Sequence, residues 1–308
     1  RLTPQPWLNP IEPDWKAFKV RPEILRAWQR QFLTDAWSAV SRGFNYRRAG
    51  VVTMGGGKTL AGLALCQLGE KSAVVAASYL HQTWREEAEK WGMECPMIST
   101  YESAHKLPDD LDVLIIEESL ALKNPEALRH RRCAEKAHNP QIVVGFTGTP
   151  TGGGGPMDWR WLRALVPGCV PAGETAWRFL FGEDTQLVEV VPGRNAYQTS
   201  KWRSKQVAEF VEPFVFSADT SKLLEELPPI NFRTITVPQP KDWELVAAGG
   251  ATVTTASKRV AQCRQIADGF VGMDDGTIQR VAHTPKLDAL EEWVDSLGEP
   301  VLIYAAWT

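Results

Sequence analysis

Cysteine is scarce and scattered in this chain. The five residues (Cys66, Cys95, Cys133, Cys169 and Cys263) form no CxxC pair and have no histidine at ligand spacing. That excludes a zinc site and a disulfide framework, and it points to free thiols in a reducing compartment. No apolar run approaches the ~18 residues that a membrane span needs, and no secretory leader follows Arg1. An excess of one charge is also missing. The 34 Lys and Arg against 37 Asp and Glu leave −3 at neutral pH, with a pI of about 6.0. Without a global basic footprint, any nucleic-acid surface is confined to a local groove. What is present is ordinary for a globular protein. The 308 residues are 44% hydrophobic and 23% charged, with length enough for two domains with full cores.

The most informative stretch is GVVTMGGGKTLAGLAL, Gly50 to Leu65. Val51 and Val52 lead into Gly55, Gly56 and Gly57, then Lys58 and Thr59, then a helix-like run. This is the order that a phosphate-binding loop needs. Glycines let backbone N–H groups turn inward round phosphates, Lys58 reaches the β- and γ-phosphates, and the Thr59 hydroxyl serves Mg²⁺. The usual first glycine of such loops, six positions before the lysine, is Val52 here.

Residues 1–22 carry Pro4, Pro6, Trp7, Pro10, Pro13, Trp15 and Pro22, and they read as an extended segment packed on a domain. From Glu23 to Val40 the apolar residues Ile24, Leu25, Trp28, Phe32, Leu33, Trp37 and Val40 keep a helical period. Arg26 and Gln29 lie on the adjoining face, either against an adenine edge or simply solvated. Short strands are predicted at Ser72–Ala77, Met97–Tyr101, Asp112–Ile116 and Gln141–Phe146. An amphipathic helix on Leu80, Trp84, Ala88 and Trp91 separates the first two. This alternation predicts an α/β fold, a parallel sheet with helices on both faces. Ligands gather at the carboxyl ends of such strands, and the polar clusters fall there. They are Ser99-Thr100-Tyr101, the pair Glu117-Glu118, and Thr147-Gly148-Thr149-Pro150. Beside a phosphate loop, the first carboxylate of the pair suits Mg²⁺ and the second suits a water-activating base.

Taken in order, these motifs resemble those of the Snf-type ATPases of helicase superfamily two, which are double-stranded-DNA translocases. Leu25-Arg26-Ala27-Trp28-Gln29 is similar to the family's adenine-side LRxYQ, and Met54–Thr59 to its MGLGKT, with Gly56 in place of Leu. Ala77–Trp84 with Glu89-Lys90-Trp91 resembles motif Ia, a strand-end DNA contact, and Ser99–Glu102 resembles the TTYE segment. Glu117–Asn124, EESLALKN, aligns with DEAHRLKN. Glu117 is one methylene longer than the family's Asp, and Leu120 replaces the His that links hydrolysis to motif III. Lys123-Asn124 is retained, and Thr147–Pro150 is similar to motif III, TGTP. Pro213–Pro229 resembles the interlobe linker, with Ser217 and Ala218 in place of its paired arginines and Thr220 in place of its lysine. Thr284–Trp307 looks like the opening helix and strand of a second RecA-like lobe.

The resemblance implies an extended segment (1–22), a first RecA-like lobe (23–151), a helical insertion and linker (152–240) and the start of a second lobe (241–308). It implies ATP and Mg²⁺ as ligands. Arg26, Gln29, Met54, Gly55, Gly56, Gly57, Lys58 and Thr59 would contact nucleotide, Thr59 and Glu117 the metal, and Glu118 and Lys58 would be catalytic. Thr147, Gly148 and Thr149 would couple that site to nucleic acid. Ser78, Tyr79, Ser99, Thr100, Tyr101, Lys123 and Asn124 would track a double-stranded DNA backbone without reading its sequence. The expected protein is a monomeric motor, cytoplasmic and of bacterial or phage type, or nuclear if eukaryotic. Its arginine fingers are expected beyond Thr308, so hydrolysis by this chain alone is expected to be weak. Trp159, Trp161, Leu162, Leu165, Trp177 and Phe179 read as helix packing between lobes rather than base-stacking platforms. A nucleotide-gated DNA-binding module with little hydrolysis is the alternative, favoured by Glu117, Leu120 and the missing arginine pair. A small-molecule kinase is disfavoured, having no use for LKN, TGTP and LPP.

Overall fold

The computed structural model describes residues 9–152, 155–171, 173–191, 194–218, 234–237, 270–272, 278–280 and 285–297. The chain divides into two compact units, Arg1–Pro228 and Pro229–Thr308. In chain order the first unit contains α1 (Ala27–Val40), β1 (Tyr46–Val51), α2 (Lys58–Cys66), β2 (Ser72–Val75), α3 (His81–Trp91), β3 (Met97–Ser99) and β4 (Val113–Ile116). There follow α4 (Leu128–Lys136), β5 (Ile142–Thr147), α5 (Glu174–Phe181), β6 (Thr185–Val191), β7 (Arg194–Thr199), α6 (Ser204–Val211) and β8 (Val215–Ser217). The described part of the second unit is an antiparallel pair, β9 (Phe270–Gly272) with β10 (Ile278–Arg280), and α7 (Pro285–Leu297).

Six strands form one sheet in the order β3-β2-β4-β5-β1-β8, parallel at every pairing. The α/β class expected from the alternation of elements is the one observed. Because side chains alternate across a strand, the sheet feeds two cores. Val113, Ile115, Val144 and Phe146 pack with Phe32, Leu63 and Trp84 of α1, α2 and α3. Leu114, Ile116 and Val143 pack with Cys133, Trp161, Trp177 and Val207 on the other side. Each such large apolar side chain contributes roughly 1.5–3 kcal/mol on burial. Helix α2 comes close to α3 because Gly62 has no side chain; a Cβ there would lie 2.6 Å from the Trp84 ring.

Several elements differ from the sequence reading. Helix α1 starts at Ala27 rather than Glu23. Leu25 and Arg26 are extended (ψ 140° and 156°), and the Arg26 N–H donates to Gln29 Oε1 at 2.7 Å, capping the helix there. Residues 15–19 form turns rather than extended chain, and buried Phe18 ties them to Trp37 of α1. Strand β1 reaches back to Tyr46 through Arg47 and Arg48. The antiparallel hairpin β6–β7 was not anticipated. Trp161, Leu162, Leu165 and Trp177 are fully buried within the first unit, whereas Phe179 is 64% exposed and meets Tyr197 edge-on.

Strand β8 adds Ser217 opposite Val51, and the Ala218 N–H donates to Val51 O at 3.1 Å. Ala218 is packed in the core where the resembled linker carries an arginine. Thr220, the rest of the linker motif and the strand expected after α7 lie outside the described residues.

Candidate functional site

The register brings the ends of four strands into one row. Val51 pairs with Thr147, Ile116 with Gly145, and Val75 with Ile116. The loop that leaves β1 therefore stands beside Thr147, one strand away from the chain leaving β4.

That loop runs from Val52 to Gly57, and α2 opens on Lys58 and Thr59. Gly57 sits at φ 85°, and a Cβ on it would lie 2.8 Å from Gln29 Nε2, so both backbone and space require glycine there. Three side chains of one motif hold three successive carbonyls. Arg26 Nη1 donates to Gly55 O at 2.9 Å, Trp28 Nε1 to Gly56 O at 3.0 Å, and Gln29 Nε2 to Gly57 O at 2.9 Å. In a planar trans peptide the next N–H points the opposite way. Holding these carbonyls against α1 thus turns the N–H groups of Gly56, Gly57 and Lys58 away from it. Lys58 Nζ lies within the loop, donating to Val52 O and Thr53 O, each at 3.1 Å. Met54 is 81% exposed at the tip. Arg26 and Gln29, read from sequence as adenine contacts or solvated groups, are joined to the loop itself, and Gln29 is buried.

The acidic pair leaves β4 in two different environments. Glu117 is buried, its N–H donates to Val75 O at 2.9 Å, and its Oε2 has no hydrogen-bond partner among the described residues. Burial pushes its carboxyl up to about 7, with the Glu118 charge adding to the rise and Lys58 opposing it. A buried carboxylate oxygen with no hydrogen-bond partner among the described residues, within the electrostatic influence of Lys58, suits a divalent cation. Glu117 and Thr59 are the residues that would hold Mg²⁺. Glu118 is half-buried and has a left-handed backbone, φ 46° and ψ 55°, which is uncommon for a residue with a side chain. That turn directs its Oε1 to the Thr147 hydroxyl, which donates to it at 2.7 Å. Thr147 Oγ1 in turn accepts the Thr149 N–H at 3.1 Å. Gly148 lies close to the loop, since a Cβ on it would be 3.5 Å from Val52 O. With Leu120 in place of the resembled His, a polar link runs directly from Thr147 to Glu118. Leu120 itself rests against Gly152.

The remaining candidates separate. Ser78 and Tyr79 are exposed after β2, and Ser99 and Thr100 are half-buried at the end of neighbouring β3. Lys123 and Asn124 are exposed beyond β4; Lys123 Nζ is 3.9 Å from the buried Asp158, and Asn124 Oδ1 accepts the Glu126 N–H. Tyr101, expected on this surface, turns inward instead: it is 6% exposed, and its hydroxyl donates to Glu117 O at 2.7 Å. Its aromatic ring is better accommodated in the core than in water, and the one polar atom steadies the acidic turn. Two contributors were not singled out from sequence. Trp28 was legible as a member of the LRAWQ motif and of an apolar helical face, not as a contact to the loop. Asp158, whose Oδ2 accepts the Gly152 N–H at 2.7 Å, carried no local signal.

No protein-family model matches this chain, and no curated protein matches it. Among solved structures, the SWI2/SNF2 ATPase core of Sulfolobus solfataricus in complex with double-stranded DNA aligns with a TM-score of 0.49 and 16% identity, covering 90% of this chain and 64% of that one. The ATPase core domain of the same organism aligns with a TM-score of 0.48 and 15% identity, covering 90% and 65%. The chain thus spans less than two thirds of the length of those structures.

Proposed function

We propose that this chain is the nucleotide-binding part of a Snf-type motor that couples Mg-ATP hydrolysis to movement along double-stranded DNA. The observation that carries this reading is one juxtaposition. Glu118, tied to the Thr147 hydroxyl, and the Glu117 carboxylate, whose Oε2 has no hydrogen-bond partner among the described residues, stand at the sheet end from which the Lys58 loop departs. In this reading Lys58 exchanges the carbonyls of Val52 and Thr53 for the β- and γ-phosphates. Glu118 accepts a proton from the water that attacks the γ-phosphorus, as the bond to the departing ADP oxygen breaks. Glu117 and Thr59 would hold Mg²⁺, which would supply charge neutralisation for the phosphate oxygens. Thr147 senses the carboxylate that does the chemistry, and Gly148 and Thr149 carry that state toward the nucleic-acid surface. Ser78, Tyr79, Ser99, Thr100, Lys123 and Asn124 contact a phosphate backbone, so affinity falls with salt and is indifferent to sequence.

The test is the rate of ATP hydrolysis with and without duplex DNA, by this chain and by one extended through a complete second lobe, beside Glu118→Gln in each. Stimulation by duplex that Glu118→Gln removes supports the motor. A rate indifferent to duplex and to Glu118→Gln in both chains sinks it. The apolar Leu120 keeps a second reading in play, a nucleotide-gated DNA binder. It would show duplex affinity that changes with nucleotide in the absence of turnover.

A further inference from the structure

Trp28 lies in the first turn of α1 and is 7% exposed. Its indole N–H gives the middle one of the three bonds to the glycine carbonyls, and that bond is the one shielded from water. The Arg26 bond is exposed and the Gln29 bond half-buried, while the Trp28–Gly56 bond is buried. Water replaces a lost donor at an exposed carbonyl, but a buried carbonyl goes unpaired. The indole is also held in place. It packs against Phe32 of α1 and Phe216 of β8, each with ring centres 6.3 Å away. Gly56 and Trp28 are moreover paired departures, standing where the resembled motifs carry Leu and Tyr.

Resting on the nucleotide-site reading above, we propose that Trp28 is the positioning residue of the phosphate loop. Its N–H fixes the Gly56 carbonyl and thereby aims the Gly57 N–H at phosphate. It touches neither phosphate nor metal. Its effect is preorganisation: a loop already shaped loses less freedom when the ligand binds. A tryptophan that only fills the core and satisfies its own N–H would contribute to folding and not to affinity.

The experiment is titration calorimetry of Mg-ADP into the chain, wild type and three variants. Trp28→3-benzothienylalanine keeps the ring shape and replaces the N–H with sulfur, Trp28→Phe shortens the ring, and Lys58→Ala is the site control. In parallel, the ¹⁵N-labelled indole signal of Trp28 is identified by its loss in Trp28→Phe. The expected result is a shift of that signal on adding Mg-ADP, and binding about 3- to 10-fold weaker in the benzothienyl variant with helix content retained. Affinity within twofold of wild type, or an indole signal that ignores Mg-ADP, overturns the Trp28 assignment and leaves the site reading standing. A wild-type chain that binds no Mg-ADP, or binds it equally well with Lys58→Ala, overturns the site reading and this assignment with it.

Discussion

Arg47 enters the sheet on β1 and gives its guanidinium to the carbonyls of Ala137, His138, Pro140 and Leu165. Glu117 leaves the sheet on β4 and keeps a buried oxygen with no hydrogen-bond partner among the described residues. The same contrast extends along both ends of the strands. At the amino end, Asp112 accepts the N–H groups of Glu70 and Lys71 at 2.9 and 3.0 Å, and Lys136 is paired with Asp109. At the carboxyl end, Glu118 holds a left-handed backbone, and Lys58 rests on carbonyls of its own loop. One end uses its polar groups to close the structure. The other keeps charge and backbone strain in place at a cost in stability, the usual signature of a site held ready for a ligand.

The sharpest way to break this comparison is to remove the base. Glu118→Gln is expected to lower ATP turnover by about 10²–10⁴ while Mg-ADP affinity stays within severalfold, as read by steady-state rates beside calorimetry. Equal losses of binding and turnover would move Glu118 out of the base role. At the opposite end, Arg47→Ala strands several carbonyls and is expected to cost about 3 kcal/mol of stability in urea unfolding, with nucleotide affinity of the folded protein unchanged. A change in affinity would mean that the two ends are not separable.

Glu117→Gln should do the reverse of Arg47→Ala. It removes a desolvated charge and is expected to raise stability by about 1–3 kcal/mol at pH 8, while the Mg²⁺ dependence of nucleotide binding is lost. The sign follows from a carboxyl raised from 4.5 to about 7. The penalty of the charged form is absent below the lower value, grows between the two, and is complete above the higher one. Unfolding at pH 4 should therefore show little gain, and a gain independent of pH would contradict the burial of that charge. Tyr101→Phe deletes a single buried hydrogen bond to Glu117 O, for a loss of about 1 kcal/mol in the same unfolding assay. The smallest effect is expected at Lys123→Ala, which should reduce the slope of log affinity for duplex DNA against log salt by about one.

Much of the site's neighbourhood was legible because β2, β4 and β5 are short, mostly apolar runs and its loop is a run of glycines before Lys58. Strand β1 was legible only at Val51. Arg47 and Arg48 do not read as strand residues, yet Arg47 reaches backbone carbonyls and Arg48 the buried Asp35 at 2.8 Å. The hairpin β6–β7 escaped notice because Gln186, Leu187, Tyr197 and Gln198 are all exposed, so the described residues offer no buried face to mark a strand. Arg26 and Gln29 were read as facing adenine or water, and pattern alone has no term for side chains that reach back to carbonyls about thirty residues away. Nor does composition tell a tyrosine on a DNA surface from Tyr101, whose hydroxyl is satisfied inside. The positive φ of Glu118 accompanies a hydrogen bond to Thr147, far away in sequence, and could not be read from neighbours in the chain.

The most direct test of the central claim, that the carboxyl end of this sheet is an ATP site, is equilibrium binding of ATP to the chain with Mg²⁺ or with EDTA, beside Lys58→Ala. One saturable site, weakened by EDTA and abolished by Lys58→Ala, is the predicted result. Absence of saturable binding, or binding indifferent to both Mg²⁺ and Lys58, would contradict it.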